Sequence, residues 1–194
     1  MTPRTVAVGI ALLVSTLIAC GRDEPRQRAP SGAALSAAAA PQDTAFAGTT
    51  ASVHRARPIP PGVPPGLLRA VETGSGPGYD RVVFEFAGDS VPGYHVEYVT
   101  AAVRRCGSGD PVSVAGAARL VVRFEPARAH DERGNPRPAE RERAPGLPAV
   151  KDMKLVCDFE GQVEWVLGVA AVAPYRVSEI AGPARVVVDI RHRP

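Results

Sequence analysis

The chain has 194 residues, 45% of them hydrophobic and 22% charged, with 20 Pro and 19 Gly. That is enough for one ordinary domain plus extra segments, with many breaks in any regular element. The formal charge of +3 comes entirely from the first third: residues 66–194 carry 17 basic and 17 acidic side chains, against 6 and 3 in residues 1–65. A main region so balanced lacks the basic footprint that phosphate backbones require, so no nucleic-acid partner is expected.

Residues 1–20 read as an export signal. Arg4 supplies a short positive region, and Val6 to Ile18 form an apolar run of signal length. The run is shorter than the ~20 apolar residues that a spanning helix needs. It ends in Leu17-Ile18-Ala19-Cys20, followed by Gly21, which resembles the lipobox of bacterial lipoproteins. The resemblance implies that Cys20 carries a diacylglyceryl group on its sulfur. The expected partner is then a membrane, held through that lipid from its extracytoplasmic face.

Residues 21–65 read as a disordered tether. Ala33 to Ala40 is nearly all Ala and Ser, and Arg55 to Pro65 is crowded with Pro and Gly. Few large apolar side chains are present to offset the entropy of ordering this segment. As a flexible coil it would average roughly 35–40 Å end to end.

From residue 66 the pattern changes to period two. The clearest stretch is Tyr79 to Phe86, where Val82, Phe84 and Phe86 share one face and Arg81, Val83 and Glu85 the other. Arg119 to Glu125 and Arg185 to Ile190 repeat it. Further strands are predicted at Leu67 to Glu72, Tyr94 to Thr100, Lys151 to Asp158, Gln162 to Val169 and Tyr175 to Ile180. About eight short, mostly antiparallel strands predict an all-β fold over 66–194, a β-sandwich or partly open barrel. Alternation within Gln162 to Val169 puts Trp165, the one tryptophan, in the core. One long polar loop, Pro126 to Pro148, interrupts the pattern, and loops of that length are usually functional or mobile.

Cys106 and Cys157 remain after Cys20. In an exported chain an even remainder argues for one disulfide, closing a loop of roughly 50 residues. The alternative, a metal pair, lacks the further ligands that zinc requires. Neither a Gly-x-Ser-x-Gly elbow, a His-Glu-x-x-His pair nor a phosphate loop occurs in the sequence. His130-Asp131-Glu132 is ordinary turn chemistry more than a cation site. No cofactor, no metal and no catalytic residue is therefore expected.

The polar strand faces are the remaining candidates. Arg81, Glu85, Arg119, Arg123, Arg185 and Asp189 would lie on them. Two readings compete: cross-strand charge pairs on a solvated sheet, or an Arg-rich surface that grips carboxylates of a wall peptide or polymer.

Several short stretches carry a family resemblance. They include Gly78-Tyr79-Asp80-Arg81-Val82-Val83-Phe84-Glu85-Phe86, Pro92-Gly93-Tyr94 and Cys106-Gly107-Ser108-Gly109. Others are Pro145-Gly146-Leu147-Pro148, Cys157-Asp158-Phe159-Glu160, Glu164-Trp165 and Gly182-Pro183-Ala184-Arg185-Val186-Val187-Val188-Asp189. From about Leu67 to His192 the chain resembles the AMIN-like domain of lipoproteins from high-GC Gram-positive, actinobacterial sources. The resemblance implies a β-sandwich with both cysteines at the family's positions. It also implies a non-catalytic envelope module of the kind associated with peptidoglycan, or one that binds another envelope protein instead.

Overall fold

A computed structural model describes residues 46–193. The strands are β1 (Val53–Arg55), β2 (Gly66–Gly76), β3 (Tyr79–Phe86), β4 (Gly93–Val99), β5 (Ala118–Glu125), β6 (Ala127–Arg128), β7 (Glu142–Arg143), β8 (Val150–Phe159), β9 (Gln162–Val169), β10 (Tyr175–Ile180) and β11 (Arg185–Arg191). They form two curled sheets, six-stranded in the order β1-β4-β5-β9-β8-β7 and five-stranded in the order β10-β11-β3-β2-β6. Every pairing between these strands is antiparallel except β2 with β6. The all-β, half-barrel architecture is the one expected from the alternation.

Period two decides which residues meet between the sheets. Val82, Phe84 and Phe86 of β3 are fully buried, as are Leu120, Val122 and Phe124 of β5. The rings interlock, with Phe84 and Phe86 centred 5.0 and 4.9 Å from Phe124 and Trp165 edge-on to Phe84. Trp165 is buried at 2% exposure, as its place on β9 predicts.

Three features go beyond that pattern. Val121 and Val166 face outward by alternation, yet both are buried. The connection between β4 and β5, residues 100–117, folds back over the six-stranded sheet. There Val103 and Val114 cover Val121, Val156 and Val166 in a second apolar cluster. Cys106–Cys157 staples this excursion down, and the Asp152 carboxylate accepts the Ala115 amide at 2.9 Å. Gly168 lets the excursion approach β9, since a Cβ there would meet the Ala115 carbonyl at 1.8 Å.

The long polar loop is likewise held. Its start forms β6 beside β2, and its middle forms β7 beside β8. Asp158 of β8 accepts the Ala129 amide at 2.8 Å and an Arg141 N–H at 2.9 Å, with His130 Nδ1 also at 2.9 Å. Asp131 closes its own turn through the Arg133 and Asn135 amides. His130 and Asp131 therefore serve different partners, and no group of three metal-ligating side chains assembles among the described residues.

The third feature moves a boundary. The expected tether ran to residue 65, but ordered chain begins by Phe46, which is buried. Thr49 pairs with Tyr175 at the edge of the five-stranded sheet, and β1 pairs with β4 at the edge of the six-stranded one. Residues 46–57 are thus a strap joining both edges. Its composition is poor in large apolar residues, so backbone pairing with existing edges does what a core cannot. Residues 21–45, Cys20 and the export signal lie outside the described residues.

Candidate functional site

The six candidate residues divide between the two sheets. Arg81 and Glu85 on β3 and Arg185 and Asp189 on β11 lie on the outer face of the five-stranded sheet. Arg119 and Arg123 lie on the outer face of the six-stranded one. The structure does not bring them into one surface, because alternation names a strand's face without naming its sheet.

On the five-stranded sheet, register sets Asp189 opposite both Arg81 and Arg176, and Arg185 opposite Glu85. Asp189 is buried at 1% exposure. Arg81 grips it with two N–H groups at 2.7 and 2.9 Å, and Arg176 adds a third at 2.8 Å. Arg176 is itself stacked on the rings of Phe46 and Tyr79, 4.7 and 5.1 Å from their centroids. Burial pushes the Asp189 carboxyl up, but the two guanidiniums outweigh it and hold the group below its ordinary range. Arg81 and Asp189 form a buried rivet more than a gripping surface. In the pair of Arg185 and Glu85, 3.0 Å apart, the carboxylate is the more open one, at 26% exposure against 1% for Asp189.

On the six-stranded sheet a single register line crosses four strands: His54, His95, Arg123 and Glu164. The two imidazoles lie 5.5 Å apart, centroid to centroid. Arg123 donates through Nε to Glu164 at 2.8 Å. Arg119, two residues earlier, has no ion-pair partner among the described residues. Beside the line is an open cleft of about 450 Å³, walled by His54, Arg55 and Arg57 of the strap and by His95, Arg123 and Glu125 of β4 and β5. Arg55 and Arg57 both reach Glu179 of β10, at 3.3 and 2.6 Å. The sequence reading found Arg123 but assigned His54, Arg55 and Arg57 to the tether. Only the three-residue pairing of β1 places His54 and Arg55, with Arg57 just beyond it, and three residues show no periodicity.

Two polar faces on a half-barrel β core, with their loops tied down by ion pairs and one disulfide, define a small all-β module. The AMIN-like domain model matches residues 66–192, and the chain belongs to that family of non-catalytic, extracytoplasmic envelope modules. No curated protein and no solved structure matches the chain. The strap lies N-terminal to the matched region, so the cleft is walled on one side by the family's domain and on the other by residues outside it.

Proposed function

We propose that this chain is a lipid-anchored envelope module that binds cell-wall peptidoglycan without acting on it. The observation that carries the reading is the family itself, matched across nearly the whole double sheet. Half-buried arginines on both sheet faces, Arg185 on one and Arg119 on the other, support it by offering donors suited to carboxylates. The lipid anchor rests on Leu17-Ile18-Ala19-Cys20.

Sedimentation of the full chain with purified sacculi tests the wall reading. Binding should weaken with salt and fall at least several-fold in the Arg185→Ala, Arg119→Ala pair. Arg81 is unsuited to that test because it holds a buried carboxylate. Protein that stays in the supernatant at low salt overturns the reading. Fatty-acid labelling, present in the natural chain and absent from Cys20→Ala, tests the anchor separately.

A second reading, binding of another envelope protein, is favoured by one observation. Beyond Tyr175 the outer edge of β10 is unpaired among the described residues, and it ends in Ile180 at 43% exposure. Strand addition there would serve such a partner. Crosslinking in cells to one envelope protein, without sacculus binding, would select it.

A further inference from the structure

The cleft beside β1 is lined by opposite charges that do not close on one another. Gly93 lets its two walls meet: a Cβ there would lie 2.5 Å from the Glu125 carbonyl oxygen and 2.9 Å from the Arg57 amide nitrogen. Only glycine allows the strap so near the end of β5. On the strap wall, Arg55 and Arg57 share one carboxylate, Glu179, and Arg55 reaches it through Nε at 3.3 Å. The Arg55 side chain is 57% exposed, and its Nη groups make no hydrogen bond among the described residues. On the β5 wall, Arg123 uses Nε on Glu164, and its Nη groups are likewise without a partner there. Phe124 points into the core, so Arg123 and Glu125 share the outer face. Glu125 is exposed and makes no hydrogen bond or ion pair through its carboxylate among the described residues.

These open groups narrow the ligand. Arg55, Arg123 and Glu125 all line the one cleft, and they offer both signs of charge from side chains that solvent already reaches. A simple anion would satisfy the two guanidinium forks and leave Glu125 facing its charge. A simple cation would satisfy Glu125 and be repelled by the forks. A ligand that carries a carboxylate and an ammonium together meets every open group with its opposite. The forks are planar and suit a carboxylate, which accepts two parallel N–H bonds. The volume, about 450 Å³, lies in the range of small-ligand sites.

We infer that this cleft binds a small zwitterion, a short peptide with one free carboxylate and one free ammonium. The Nη groups of Arg55 and Arg123 donate to the carboxylate, and Glu125 accepts from the ammonium. Contacts so exposed are individually weak, so affinity depends on making both at once. The zwitterion class follows from the cleft alone. Its source in a peptide of the wall rests on the reading above, and the two fail separately.

The test uses the full chain in detergent, with backbone amide resonances followed by NMR at neutral pH. The probes are Ala-Ala with both ends free, N-acetyl-Ala-Ala, and Ala-Ala amide. The free dipeptide should bind about fivefold more tightly than either blocked form, the scale of one exposed ion pair. Its shifts should centre on residues 55–57, 93–94 and 123–125. Glu125→Gln strips no partner from the fold. It should weaken the free dipeptide about fivefold and leave N-acetyl-Ala-Ala unchanged, so that the two bind alike. Arg55→Gln should weaken both of those and leave the amide unchanged, a pattern that general loosening of the fold would not produce. Equal binding of the three probes, no shift at the cleft with dipeptide in large excess, or a Glu125→Gln chain that still prefers the free amine overturns the proposal. Sacculus binding that ignores Glu125→Gln would overturn the wall as the zwitterion's source and leave the wall reading itself standing.

Discussion

A carboxylate taken out of water persists only when its oxygens are met by donors. Asp80, fully buried on β3, accepts the Ala149 and Val150 amides at 2.6 and 2.9 Å, Ser75 at 2.9 Å, and lies 2.7 Å from His192 Nε2. It thereby joins β3 to the start of β8 and docks the C-terminal tail. Burial pushes its carboxyl up, but His192, the two amides and Ser75 outweigh that and hold it below the ordinary range. Asp189 is lowered in the same way by Arg81 and Arg176. A carboxylate whose folded value is lowered stabilises the fold fully above its unfolded value, near pH 4, and stops doing so as pH falls through the folded one. Arg81→Ala should therefore cost about 2–3 kcal/mol at pH 7, since it strips donors from a buried charge. Arg185→Ala, which opens a pair whose carboxylate is half-exposed and can be rehydrated, should cost under about 1 kcal/mol. Urea denaturation reads both, and the Arg81→Ala deficit should hold down to the carboxylate range and shrink below it. Equal losses for the two variants would show that Asp189 does not depend on its rivet.

Among the elements, the 100–117 excursion shows how much an outward face can conceal. Cys106 and Cys157 are separated by 51 residues, so their bond removes on the order of 4 kcal/mol of loop-closure freedom from the unfolded chain. The Cys106→Ala, Cys157→Ala pair should lose about that much stability. Amide exchange should quicken first across 100–117, while β3 and β11 in the other sheet keep their protection. Uniform loss of protection would show that the excursion and the core open as one unit. Eight of the eleven strands were legible because each is long enough to alternate. β1, β6 and β7, at two or three residues, were not, because pairing partners distant in sequence define them. The same limit shaped the candidate site. Arg123 and Glu164 sit on long strands and were readable as polar-face residues, but the line from His54 to Glu164 requires a register that no single strand records. Val121 and Val166 misled in the opposite sense: alternation pointed them at solvent, and a covering loop removed them from it.

Across the whole molecule, the strap is where the leading segment meets the fold. Phe46 lies on Arg176, Thr49 on Tyr175, and β1 on β4. Tyr175 Oη sits 2.7 Å from the carbonyl oxygens of both Ala51 and Val96 and shares its proton between them. Burial, with the neighbouring Tyr98 phenol, pushes that hydroxyl up to about 12, so it remains a donor at any physiological pH. A pull on the N-terminal end, the end the proposed anchor would hold, loads these few contacts one after another. The sheets behind them are loaded only later. Residues 46–65 should peel away first, adding about 65–70 Å of extended chain in a low-force step that single-molecule stretching would resolve ahead of sheet rupture. A single rupture with no such prior step would deny the strap this role. Because β1 and Arg57 wall the cleft beside Arg123, the same peeling takes the cleft apart. Tension would then open the cleft while the core is still whole, and the cleft would form again when the strap settles back.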